Sequence, residues 1–167
     1  MSNDKFEKNA GFSTLLLLTL KELRLDRGWH QGYLAQQIGR SASSYSKIEN
    51  GQTVLTADAF FGMCLGLQVT PAYVSHIATQ LMTLFNLRGY YFLASCSQEE
   101  DQLLPLVLRY FESKGYEALK LRPGERISVT ALGEFSQHPY APVPTVVMYC
   151  CDDGYRSWID TGALRGV

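Results

Sequence analysis

Residues 31–51, with the sequence QGYLAQQIGRSASSYSKIENG, constrain the fold of this chain more than any other stretch. Large apolar residues recur at helical spacing on both sides of Gly39, a residue that readily takes the positive φ found at many helix ends. Ser41 follows, and a serine hydroxyl at the start of a helix accepts a hydrogen bond from a free amide of the first turn. The stretch therefore predicts two short helices joined by a tight turn, the second at about residues 41–49 and closed by Gly51.

Further helices are predicted on both sides of this pair. Leucines at helical spacing predict a first helix that ends near Arg27. Thr56 and the Thr70–Pro71 pair are start signals for two later helices, which reach about Leu67 and Leu87. We therefore expect a flexible segment at residues 1–12 and an all-α five-helix domain at 13–87. The spacing of the central pair is that of a helix-turn-helix, whose second helix enters the major groove of DNA.

The pattern changes after residue 88, where short apolar runs alternate with turn residues. One helix is predicted at about residues 97–114. Asp152–Asp153–Gly154 is typical of a hairpin turn. We expect a small α+β domain at residues 88–167, an antiparallel sheet plus one helix, with strands at residues 90–95, 116–121, 127–132, 145–151 and 155–159.

Residues 15–80 resemble the XRE-type helix-turn-helix family, which includes Cro and the phage repressors. The resemblance covers about two fifths of the chain and does not extend to residues 89–167. The residues that carry it are LKELR at 20–24, Gly28–Trp29–His30–Gln31, Leu34–Ala35, Gly39, Ser41, Ser46, IENG at 48–51, and the joint from Leu67 to Pro71.

The resemblance implies a role for each of several positions. Gln31 would contact phosphate and a base edge, and Asn50 would hold a phosphate at the end of the second helix of the motif. Arg24 and Glu49 match a structural pair that ties the first helix to the third. The complete set of implied DNA-binding residues is Gln31, Arg40, Ser41, Ala42, Ser43, Ser44, Ser46, Lys47 and Asn50.

Two departures from the family pattern bear on how DNA would be recognised. Arg40 stands where the family usually has an apolar residue, and either a phosphate contact or a solvated side chain fits it. Residues 42–44 have short side chains, which offer no bidentate pair of the arginine–guanine kind. We therefore expect modest direct readout, with Lys47 and Gln31 as the longer side chains, supported by DNA shape and by dimerisation.

The charge distribution is compatible with this interpretation. The chain has a net charge of −1. Residues 1–88 carry eight Lys/Arg and six Asp/Glu, a net of +2, and residues 89–167 carry seven and ten, a net of −3. The N-terminal half is therefore the expected DNA side, because the distribution of charge matters more than its total.

The sequence offers no signal for catalysis, a metal site or a cofactor. No Ser/His/Asp set, zinc-ligand spacing or phosphate loop is visible, so we expect no enzyme and no cofactor. The four cysteines form no C-x-x-C pair, and buried thiols in a cytoplasmic protein are expected. The apolar run at residues 15–18 is too short to span a membrane.

These observations predict a bacterial or phage-type transcription regulator, such as a repressor, with double-stranded DNA as its partner. Dense aromatic residues in the second half favour an assembly surface, so we expect a homodimer or homotetramer on an inverted repeat. Two alternatives stay open. One is an antitoxin-like regulator whose C-terminal domain binds a protein partner, and the other is a regulator that senses a small-molecule effector.

Overall fold

The computed structural model describes residues 8–135 and 142–166 of the 167-residue chain. Ten α-helices, one 3-10 helix (Pro123–Glu125) and two short strands lie in these ranges. In chain order the elements are β1 (Lys8–Gly11), α1 (Phe12–Asp26), α2 (Gln31–Gln37), α3 (Ala42–Glu49), α4 (Ala57–Leu67), α5 (Pro71–Asn86), β2 (Tyr90–Leu93), α6 (Leu104–Glu112), α7 (Lys114–Lys120), α8 (Ala131–Phe135), α9 (Thr145–Cys151) and α10 (Asp153–Asp160).

The N-terminal helices begin where local capping signals place them. The hydroxyl oxygens of Ser41, Thr56 and Thr70 each accept a hydrogen bond from the backbone amide three residues later in the chain. The distances are 3.1, 3.1 and 3.0 Å. Pro71 occupies the first position of α5, where its missing N–H has no partner to lose. Residues 8–11 of the segment expected to be flexible form β1, while residues 1–7 lie outside the described ranges.

The predicted antiparallel sheet is wrong. The sheet in the described residues has two strands, β1 and β2, and they are parallel, with Lys8 opposite Tyr90 and Gly11 opposite Leu93. Three of the segments predicted as later strands are the helices α7, α9 and α10. Of the predicted strand at residues 127–132, residues 127–130 form a loop and residues 131–132 begin α8. Short apolar runs do not distinguish a strand from a buried helix, and here tertiary packing selects the helix.

Two capping residues show what the strand prediction missed. Ser113 ends α6 and accepts a hydrogen bond from the amide of Tyr116, at 3.1 Å, so it starts α7. Asp152 accepts one from the amide of Tyr155, at 2.8 Å, so the predicted hairpin turn is the N-terminus of α10. Gly115 lies inside α7, where a Cβ would come within 2.2 Å of the Ile159 carbonyl oxygen, so only glycine fits this position.

Two clusters of buried apolar residues hold these elements together. One fills the space between α1, α2, α3, α4 and the start of α5. The other joins the remaining faces of α1 and α5 to β2, α6, α7, α9 and α10. Leu16 and Tyr73 contact both clusters. The second half of the chain therefore packs against two helices of the first half, and the division at residues 87–88 stays a prediction.

A buried carboxylate lies where α1 meets the loop before α8. Glu22 is fully buried, its Oε1 lies 3.1 Å from Arg126 Nη1, and the amide of Val129 donates to the same oxygen at 3.3 Å. Arg126 also binds Asp26, with Nη2 2.6 Å from Oδ1. Burial, reinforced by the charge of Asp26, outweighs the attraction of Arg126 and raises the pKa of Glu22 to about 8.

The buried Glu22 carboxyl group predicts that stability falls as pH rises from about 4.5 to about 8. The folded protein holds a proton on Glu22 that the unfolded chain releases above its ordinary pKa of 4.5, so the favourable contribution falls as pH rises towards about 8. The slope for one such group is at most about 1.4 kcal/mol per pH unit. Glu22→Gln should flatten the fall of Tm with pH, whereas Glu112→Gln, on an exposed glutamate, should leave the wild-type slope. Equal slopes for the two variants would contradict the assignment.

Candidate nucleic-acid interface

The turn between α2 and α3 places the two helices across each other. Gly39 has a φ of +68°, and the amide of Arg40 donates to the carbonyl of Ala35 at 2.9 Å, which closes the end of α2. Leu34, Ala35, Tyr45 and Ile48 are buried in the first apolar cluster. The opposite face of α3 is left at the surface.

That outer face contains most of the residues predicted to bind DNA. Arg40, Ser41, Ala42, Ser43 and Lys47 are exposed, and all five lie on the turn before α3 or on α3 itself. The half-buried members of the predicted set are Gln31, Ser44, Ser46 and Asn50. The face is compact and carries two cations, Arg40 and Lys47, and no carboxylate.

Arg24 and Glu49 lie behind this face and bind each other in a bidentate pair. Arg24 Nε lies 2.9 Å from Glu49 Oε2, and Arg24 Nη2 lies 2.7 Å from Glu49 Oε1. Arg24 Nη1 also donates to the carbonyl of Trp29, at 2.7 Å. Burial alone would raise the pKa of Glu49, but the hydrogen bonds and charge of Arg24 outweigh it and the pKa is lowered. The pair therefore joins α1, the turn before α2 and the end of α3.

Gln31 belongs to the same network. Its Nε2 donates to Glu49 Oε1 at 3.0 Å, which fixes the side chain at the start of α2. A primary amide has two N–H groups and a carbonyl oxygen, and in the described part of the chain only one N–H of Gln31 is used by a side-chain hydrogen bond. The structure thus orients Gln31 next to the N-terminus of α2, where free backbone amides favour anions.

The remaining polar residues of α3 have local partners. Ser41 caps the helix through the amide of Ser44, and Asn50 Nδ2 donates to Ser46 Oγ at 3.3 Å. These hydrogen bonds hold Ser41, Ser46 and Asn50 in defined positions. Ser41 and Ser46 keep further hydrogen-bonding capacity because a hydroxyl both donates and accepts, and Asn50 keeps it because its amide also has a carbonyl oxygen.

Two features next to this face were missed by the sequence analysis. The hydroxyl of Tyr45 is buried beside Arg24 and Glu49, and this burial raises the pKa of Tyr45 well above its ordinary value. Gly51, at the end of α3, lies against Leu104, so that a Cβ would approach Leu104 Cδ2 to 2.7 Å. Only a contact between residues far apart in sequence reveals the second feature.

A cavity of about 220 Å³ lies between residues 51–55, the start of α1 and residues 96–104. Its buried carboxylate, Asp101, accepts hydrogen bonds from the amides of Gly11, Leu103 and Leu104 and from the hydroxyl of Thr14, at 2.6–3.0 Å. Asp101 thereby connects the N-terminus of α1 to that of α6. That the protein senses a small-molecule effector, the second alternative given above, stays a prediction.

The comparison with known proteins agrees with the geometry of this part of the chain. Residues 15–77 match the family model described as "Helix-turn-helix domain", which spans α1 to α4 and the first half of α5. This part of the chain is therefore a helix-turn-helix domain, and the match supports the XRE-type regulator family. No curated protein and no solved structure matches the chain.

The described residues contain neither a metal-binding cluster nor a membrane-spanning helix. Within residues 8–135 and 142–166, no group of three or more His, Cys, Asp or Glu side chains is arranged to hold a metal ion. No helix in the same ranges is long and apolar enough to cross a membrane.

The Arg24–Glu49 pair predicts a large loss of stability on Glu49→Ala. Removing one member of a buried ion pair leaves an uncompensated charge, which costs about 3–5 kcal/mol. Glu117→Ala is the matched control, because Glu117 binds Lys120 at 3.1 Å on the surface, and such pairs contribute about 0–1 kcal/mol. Chemical denaturation of the full chain measures both. Similar losses for the two variants would show that the Arg24–Glu49 pair has no special role.

Proposed function

We propose that this protein is a sequence-specific DNA-binding transcription regulator that inserts α3 into the major groove. One observation carries the proposal. The turn before α3 and the outer face of α3 together expose two cations and several small polar residues, and the buried Arg24–Glu49 pair lies behind them. The helix-turn-helix match at residues 15–77 supports DNA as the partner and transcription regulation as the role.

The proposed contacts divide into two kinds. Arg40, Gln31 and Asn50 hold phosphates, which fix the register of the protein on the duplex. Lys47, Ala42, Ser43, Ser44 and Ser46 lie over the base edges, with Ser41 at the rim. Small side chains approach the base edges closely, and an alanine can contact a thymine methyl group, but only Lys47 is long enough to reach across the groove.

Specificity from one such helix is limited, which supports a symmetric assembly. A good bidentate base contact is worth about 1–3 kcal/mol of discrimination, and α3 offers no arginine for one. Two linked copies double the contacts and make the second docking event intramolecular. We therefore propose a homodimer, or a tetramer of two dimers, on an inverted repeat whose half-sites lie about one helical turn, roughly 34 Å, apart.

The proposal predicts different effects for two lysines of equal charge. Lys47→Ala should weaken binding to operator DNA at least 5-fold and relax its sequence preference, because the side chain lies over the bases. Lys114→Ala removes an exposed cation from α7 and should leave the affinity within 2-fold. Retardation assays at fixed salt, with operator fragments selected from genomic DNA by the wild-type protein, measure both constants. Equal affinities for the two variants would contradict the placement of α3.

Arg40 gives a second, separable result in the same assay. Because the proposal places Arg40 on a phosphate, Arg40→Ala should weaken binding to all duplexes alike and lower the slope of log affinity against log salt by about one. If the side chain is only solvated, neither the affinity nor the slope changes. The two outcomes distinguish the alternatives that the sequence leaves open for this residue.

A further inference from the structure

The cavity of about 220 Å³ beside the N-terminus of α1 has walls from both halves of the chain. The first half supplies the start of α1 and residues 51–55, which follow α3. The second half supplies residues 96–98 and two residues at the start of α6. An engineered protein cavity of about 150 Å³ holds benzene. This cavity is therefore large enough for a single ring with a substituent.

The floor of the cavity is buried and mainly apolar. Leu17 and Leu104 line it and keep 5% and 6% of their surface exposed, whereas Leu15 and Leu20, on the same helix as Leu17, keep none. Asp101 also lies in the floor, and each of its carboxylate oxygens accepts two hydrogen bonds. A carboxylate has about four acceptor positions, so those of Asp101 are all occupied. The floor thus offers apolar contacts and no open polar group.

The rim of the cavity is exposed, which gives a ligand access to the floor. Apart from Val54, its exposed residues have hydroxyl or primary amide side chains, groups that both donate and accept hydrogen bonds. These residues are Ser13, Gln52, Thr53, Ser97 and Gln98. A molecule with an apolar body and a polar end would match the change from floor to rim.

The charges around the cavity favour an uncharged ligand. Within the described ranges, no Lys, Arg or His side chain lines the cavity, so an anion would have no counter-charge. The backbone amides at helix starts, which often bind anions, are here bonded to Asp101 at both α1 and α6. A cation would find no free acceptor on Asp101, because that carboxylate already has its four donors.

We propose that this cavity binds a small uncharged effector with an apolar body and a hydroxyl or amide group. The apolar body contacts Leu17 and Leu104, and the polar group bonds to the hydroxyls and amides of the rim. Small-molecule sites commonly combine a mostly apolar lining with a few polar groups that fix orientation.

The rim is bonded directly to the helix proposed to read DNA. The amides of Gln52 and Thr53 both donate to the carbonyl of Lys47, at 2.9 and 3.1 Å. A ligand that bonds to these two residues and to Ser97 or Gln98 joins the last turn of α3 to the second half of the chain. The effector therefore changes the affinity for DNA, and this regulatory part rests on the proposed function. By linkage, DNA changes the affinity for the effector by the same factor.

A matched series of three one-ring compounds tests the chemical class. Benzyl alcohol, benzylamine and benzoate share a ring and are neutral, cationic and anionic near neutral pH. Saturation-transfer NMR with the full-length protein should show binding of benzyl alcohol at millimolar concentration and at least 10-fold weaker binding of both charged compounds. No binding of benzyl alcohol, or equal binding of all three, would overturn the proposal.

Methyl groups of leucine report where the ring binds. In protein labelled at its leucine methyl groups, the ring protons of benzyl alcohol should show cross-relaxation with Leu17 and Leu104. Leu121 and Leu164, which are 86% and 70% exposed, are the internal controls for non-specific apolar contact and should show none. Contacts confined to the exposed leucines, or equal contacts to all four, would overturn the site.

DNA binding separates failure of the cavity from failure of the proposed function. Benzyl alcohol at saturation should change the affinity for operator DNA at least 3-fold, and benzoate at equal concentration and ionic strength should not. If the ring binds at Leu17 and Leu104 but no duplex is bound specifically, the site stands and the function is wrong. If operator DNA is bound equally with and without benzyl alcohol, the function stands and the regulation is overturned.

Discussion

The bidentate contact between Arg24 and Glu49 determines the geometry on which the rest of the first half depends. Both side chains are almost fully buried, so neither charge can be satisfied by water if the other is removed. The contact fixes the end of α3 against α1, and the hydrogen bond from Gln31 adds the start of α2. An ion pair requires a closer match of distance and angle than an apolar contact does. The orientation of the outer face of α3 therefore follows from a defined set of atoms.

Helix α1 carries a second buried contact at Glu22, and this contact faces the other half of the chain. Glu22 meets Arg126 and the amide of Val129, and Leu15 and Leu18 belong to the larger apolar cluster. On the same helix, Leu17 and Leu20 belong to the cluster beneath α2 and α3. Helix α1 is thus shared between the two halves. A change in packing at residues 126–129 would reach α2 and α3 through α1, because α1 contributes to both apolar clusters.

The first half was predictable because its signals are local. Ser41, Thr56 and Thr70 each mark a helix start within three residues, and glycine at position 39 needs only its own backbone freedom to end a helix. The resemblance adds the pairing of Arg24 with Glu49, which local patterns do not contain. The exposure of the predicted DNA-binding residues follows once the apolar face of α3 is assigned to the core.

The second half was mispredicted because its signals depend on distant residues. Ser113 and Asp152 cap helices, but next to aromatic and β-branched runs they also fit strand boundaries. Gly115 is required by the backbone of Ile159, forty-four positions away. Strand β1 pairs with β2 across most of the first half, and no alternation in four residues indicates that pairing. The role of a side chain such as Asp101, which binds the start of α1 and the start of α6 at once, is visible only in three dimensions.

Chemical protection of DNA by the full-length protein tests the central claim, the docking of α3 in the major groove. Guanine N7 lies in the major groove and adenine N3 in the minor groove, and dimethyl sulfate methylates both positions. On a duplex selected by the protein, the account predicts protection of guanine N7 in two patches about one helical turn apart, with adenine N3 left reactive beneath them. Protection confined to adenine N3, or none on any selected duplex, would contradict it.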